Sequence, residues 1–126
     1  MSNPHWVRIT PIENVPPREG RAVLIGSREI ALFNLGPSAE LGARDQFLAT
    51  DNQCPHKGGP LCDGIVSGTT VVCPLHGQRF DLETGMPVLA SQPACVATFS
   101  TRVEDGIIFV DLGSAHKASE EVAAVV

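Results

Sequence analysis

The chain has 126 residues, enough for one domain with its own core and too few to expect two. Fourteen Asp and Glu against nine Lys and Arg give a formal charge of −5, and the basic residues are scattered, which argues against a nucleic-acid partner. The longest apolar runs, such as Ala22–Ile25 and Ile107–Val110, span about four or five residues, far below the roughly 18 to 20 of a membrane-crossing helix.

The first residues, MSNPHWVRITPIENVPP, lack a basic start followed by an apolar stretch, so no secretory signal is expected and the expected location is the cytoplasm. From there on, short apolar runs alternate with Gly and Pro at intervals that suit strands, and the expected fold class is all-β. Strands are predicted over Trp6–Thr10, Arg21–Ile25 and Glu29–Leu35, then a polar loop over 36–46, then a strand over Phe47–Thr50. Further strands are predicted over Thr69–Cys73, Gln78–Asp81, Val96–Arg102 and Ile107–Asp111. The turns at Gly26-Ser27, Ser67-Gly68, Thr84-Gly85 and Asp105-Gly106 each supply a glycine for positive φ and so connect antiparallel neighbours. From Ser114 to Val126 the composition turns helical, with Ser119 placed to cap at Glu120; a frayed terminus is expected there rather than a docking helix.

The chemistry concentrates in residues 54–77, CPHKGGPLCDGIVSGTTVVCPLHG. Cys54 and His56 stand one residue apart, Cys73 and His76 two apart, and 16 residues separate the pairs. In a reducing compartment such cysteines point to metal ligation or buried thiols before disulfides. A zinc finger would place two cysteines on one knuckle and two histidines on a helix, so zinc fits poorly. A [2Fe–2S] cluster with one thiolate-bound and one imidazole-bound iron needs two sulfurs on one metal and two nitrogens on its neighbour, and two facing loops, each giving one Cys and one His, meet that demand.

The run C-P-H-K-G-G-P-L followed by C-P-L-H-G resembles the signature of the Rieske iron–sulfur family. The resemblance implies that Cys54 and Cys73 bind the inner iron and that His56 and His76 bind the outer iron near the surface. It implies a fold of stacked antiparallel sheets, a single Rieske domain over 1–126, with the cluster loops on a smaller insert at about 52–83. Gly58, Gly59, Pro60 and Gly77 suit loops whose backbone N–H groups approach sulfur. High-potential relatives carry an extra cysteine in each loop, where this chain has Gly59 and Leu75, and Ser and Tyr hydroxyls after the second loop, where it has Gln78 and Phe80. Without that disulfide and those donors, a potential toward the low end of the Rieske range, about −150 mV, is expected.

Cys62 and Cys95 are expected to be small buried hydrophobes, and His5 and His116 to be solvated. Lys57, beside a ligand histidine, is equally suited to steering an acidic partner or to plain exposure.

Beyond the loops, VLIGSREIALFNLG, HGQRFDLETGMPV and TRVEDGIIFV are most similar to the small subunit of NAD(P)H-dependent assimilatory nitrite reductase. That resemblance implies an electron-relay or supporting role beside a large subunit carrying flavin, sirohaem and a [4Fe–4S] cluster, which reduces nitrite to ammonia in nitrate assimilation. The chain lacks nicotinamide and sirohaem fingerprints, so no substrate site of its own is expected. The competing readings are a free Rieske ferredoxin serving a ring-hydroxylating dioxygenase, and a non-redox interaction module.

Overall fold

The computed structural model describes residues 4–38, 42, 44–52, 60–74, 79–88 and 96–116. These residues form nine strands: β1 (Trp6–Pro11), β2 (Glu19–Ile25), β3 (Arg28–Ser38), β4 (Arg44–Asp51), β5 (Ile65–Ser67), β6 (Thr70–Val72), β7 (Arg79–Asp81), β8 (Thr98–Glu104) and β9 (Ile107–His116). Among the described residues there are also two short 3₁₀ turns, Ile12–Asn14 and Leu61–Asp63, and no α-helix. The class is all-β, as expected, and all strand pairs are antiparallel.

The central wall is β3, whose run Ile30-Ala31-Leu32-Phe33 is fully buried. Alternate residues of a strand face opposite sides, so a continuous apolar run demands cover on both. Ile30 and Leu32 face a core with Val15, Phe47, Phe99 and Ile108. Ala31 and Phe33 face a second core with Leu61, Val71, Cys73 and Phe80. Each large side chain so buried contributes about 1.5–3 kcal/mol relative to exposure.

Six strands make one sheet in the order β1-β9-β8-β4-β3-β2, and β5-β6-β7 make a second. The small sheet lies, in sequence, between β4 and β8, and covers the second core. Inside the large sheet, β4 and β8 pair only at Ala49↔Phe99 and Thr50↔Thr98. Beyond that the strands splay, the Thr101 hydroxyl donates to the Phe47 carbonyl at 2.6 Å, and a cavity of about 650 Å³ opens beside Ile12, Arg44 and Val103.

Several boundaries differ from the sequence expectation. The polar loop expected over 36–46 is largely strand: Pro37↔Asp45 and Ser38↔Arg44 continue the β3–β4 ladder past an irregularity after Asn34. The buried Asn34 side chain sustains the irregularity, accepting from the Gly36 N–H at 2.8 Å and donating to the Val15 carbonyl at 2.7 Å and to Asp45 at 3.0 Å. Strand β5 was not expected at all; three residues of mixed exposure carry too short a pattern to stand out. Residues 112–116, beyond the strand end expected at Asp111, continue β9, which ends with Thr98↔His116. Ser114 is therefore part of a strand rather than the start of a helical tail, its hydroxyl accepting from the Ser100 N–H at 2.8 Å and donating to the Asp111 carbonyl at 2.6 Å. Ser119 and Glu120 lie outside the described residues. The Asp105-Gly106 turn is as expected, both residues having positive φ, 52° and 75°, between the paired Glu104 and Ile107.

Candidate metal centre

Strand β6 delivers Cys73. Val71 points into the second core, and two residues on, Cys73 follows it onto the same face at 2% exposure, while the next residue, Pro74, is exposed. The chain thus passes from core to surface in one step at the start of the second ligand loop.

The first loop leaves and returns beside the same core. It follows Asn52, which is 3% exposed, and returns at Leu61, which is fully buried in the cluster that holds Cys73. Gly64 allows the returning turn to lie against β6, because a Cβ there would collide with the Val72 carbonyl. The starting point of one loop and the end of the other therefore share one apolar cluster.

Of the four ligands expected from sequence, the structure describes Cys73; Cys54, His56 and His76 lie outside the described residues, as do Lys57, Gly58, Gly59, Leu75, Gly77, Gln78 and Cys95. Among the described residues no three His, Cys, Asp or Glu side chains converge as a metal site. Cys73 suits an inner iron. A thiolate in an apolar core is costly without a positive partner, and a ferric or ferrous ion supplies that charge. Phe80, where high-potential relatives have a hydroxyl, is fully buried in β7.

Cys62, expected to be buried, is only half-buried, at the edge of the same core. Burial pushes its thiol above the ordinary 9.0; the Asn52 side chain opposes this and the Asp63 charge adds to it. The protonated thiol lies 3.8 Å from the Asp63 carboxylate, and at neutral pH it is a weak ligand. His5 is exposed, as expected, and is held through its backbone: its N–H donates to Asp111 at 2.7 Å. The side chain of His116 is outside the described residues.

The residue that sequence reasoning missed is Asn52. In T-D-N-Q-C it reads as one more polar loop residue, and its burial is not visible in the sequence. Among the described residues, no Cys or His lines the cavity between β4 and β8, which lies along the opposite end of β4 from Asn52.

Residues 5–111 match the family described as the Rieske-like [2Fe–2S] domain. The chain belongs to that family. Its cofactor is a Rieske [2Fe–2S] cluster. The ferredoxin subunit of 3-phenylpropionate/cinnamic acid dioxygenase from Shigella flexneri serotype 5b is 36% identical over 108 residues, covering 84% of this chain and 92% of that protein. Among solved structures, a chain in the complex of reduced oxygenase and oxidised ferredoxin of carbazole 1,9a-dioxygenase superposes with a TM-score of 0.73 at 28% identity, covering 88% of this chain and 95% of that one. A candidate NADH-dependent nitrite reductase small subunit from Mycobacterium tuberculosis superposes with a TM-score of 0.72 at 26% identity, covering 86% and 96%. Of the three readings weighed from sequence, the two electron-transfer classes thus both occur among the proteins similar to this Rieske-like domain. No helix among the described residues is long and apolar enough to cross a membrane.

Proposed function

We propose that this chain is a one-electron relay that holds its cluster through Cys54, Cys73, His56 and His76, and that it works as the small subunit of an NAD(P)H-dependent nitrite reductase. The small sheet with its flanking loops, about residues 52–83, is the cluster-binding insert of a single domain over 1–126. The observation that supports the relay is the shared core: Leu61, just after the first ligand loop, and Cys73, at the start of the second, pack in one buried cluster. The cluster, when bound, supplies a single-electron carrier whose two neutral imidazoles raise its potential above that of an all-thiolate centre.

What the chain's own residues do follows from burial. Cys73 sits 2% exposed just past the end of β6, so its sulfur is screened from water, while the next residue, Pro74, is exposed. An imidazole at the surface gives a partner protein an edge through which one electron passes.

The nitrite reductase assignment is supported by the run Cys54-Pro55-His56-Lys57-Gly58-Gly59-Pro60 and by the superposition on the mycobacterial protein over most of both chains. The large subunit with flavin, sirohaem and [4Fe–4S] centres is then the partner, in the cytoplasm. A second reading, a free ferredoxin for a ring-hydroxylating dioxygenase, is favoured by the 36% identity to a dioxygenase ferredoxin subunit. The two are tested by mixing the reduced protein with each partner type in stopped flow. Rapid reoxidation by a sirohaem subunit with nitrite, and none by a dioxygenase oxygenase component, is expected. The reverse pattern rejects nitrite reduction and keeps the relay.

A further inference from the structure

Asn52, at the start of the first ligand loop, makes four hydrogen bonds, and they run in two directions. Toward β3, its backbone N–H donates to the Glu29 carbonyl at 3.2 Å and its Nδ2 donates to Glu29 Oε2 at 2.6 Å. Toward the returning end of the loop, its carbonyl accepts from the Leu61 N–H at 2.8 Å and its Oδ1 accepts from the Cys62 N–H, also at 2.8 Å. Between the two ends lie residues 53–60, which include Cys54 and His56.

One hydrogen bond between the ends would leave a hinge; two bonds to consecutive N–H groups fix both separation and rotation. The side chain does this only if it is itself held, and Glu29, near the start of β3, holds it. A carboxamide meets both demands at once, with an acceptor for Cys62 and a donor for Glu29. An aspartate would keep the acceptor, lose the donor and set two carboxylates 2.6 Å apart. At 3% exposure, water offers no substitute partner for either end of the amide.

We propose that Asn52, braced by Glu29, is a positioning residue for the cluster: it sets the spacing and orientation of the two ends of the first ligand loop and so governs how firmly that loop holds its ligands in place. This rests on the ligand reading given above.

The test uses the cluster-loaded protein. Bleaching of the visible charge-transfer band is followed alongside fluorescence of Trp6, the single tryptophan, which sits on β1 at the far edge of the large sheet. Asn52→Ala and Asn52→Asp are expected to lose colour about 10–100-fold faster than the parent, at temperatures where the Trp6 signal is unchanged. Glu29→Gln, which keeps an acceptor for Nδ2, is expected to hold the cluster as the parent does, and Glu29→Ala to lose it faster. Bleaching of the Asn52 variants at the parental rate, or colour and Trp6 signal lost in step, overturns the proposal. If the Asn52 variants do not accumulate, Glu29→Ala decides, since its side chain is exposed: parental bleaching overturns the proposal. A parent protein with no mixed Cys/His EPR signal overturns the ligand reading and this inference together, whereas a normal parental signal with unaffected variants overturns this inference alone.

Discussion

At the scale of single residues, the two described cysteines of the insert are separated by environment. Cys73 lies in the core where the second loop begins, whereas Cys62 sits at the margin with its thiol held protonated by burial. Cys73→Ser is expected to abolish the visible absorption of the cluster, while Cys62→Ala leaves absorption and EPR unchanged; both are read on purified protein. The raised thiol also fixes a pH dependence. The folded state binds the Cys62 proton more tightly than the unfolded chain, so the contribution to stability is full below the ordinary 9.0 and falls as pH rises past it. Alkylation of Cys62 by iodoacetamide should therefore stay slow at pH 8 and accelerate only above pH 9. The ligand set is proposed from its spacing in the sequence, and of its four residues the structure describes Cys73. Asn52 was not legible in the sequence, because its importance comes from burial and from partners 9, 10 and 23 residues away.

At the scale of elements, the strands that sequence places well are those with a continuous or alternating apolar pattern. Strand β3 is the clearest, since Ile30-Ala31-Leu32-Phe33 fits only a strand covered on both faces. The polar extensions of β3, β4 and β9 escaped because side chains hold them in register: Asn34 beside Asp45, and Ser114 beside Ser100. The insert depends on a close approach rather than on hydrophobic pattern. Gly64→Ala would press a methyl group against the Val72 carbonyl, and such overpacking costs about 1–3 kcal/mol, measurable by denaturant unfolding. Because that contact lies between the first loop's return and the strand that carries Cys73, faster cluster loss should accompany the lowered stability. Phe33→Ala, by contrast, removes a fully buried ring from the wall between the cores, with an expected loss of about 3–5 kcal/mol.

At the scale of the whole molecule, two cores share one central strand, and the small sheet covers the second core. Family and cofactor were legible in the sequence because 24 residues hold the ligand pattern; the partner was not, since relatives with different partners share this fold at similar TM-scores. The buried Phe80 offers no hydroxyl, and a redox titration is expected to give a potential near the low end of the Rieske range, about −150 mV, with a clearly positive value contradicting this. The central claim is that two irons are held by two sulfurs and two nitrogens from this single chain. Pulsed EPR of the dithionite-reduced protein, with metal analysis of the same sample, tests it most directly. Two irons per chain with hyperfine coupling to two histidine nitrogens is the expected result; a lone zinc ion, or a cluster with no nitrogen coupling, would contradict the account.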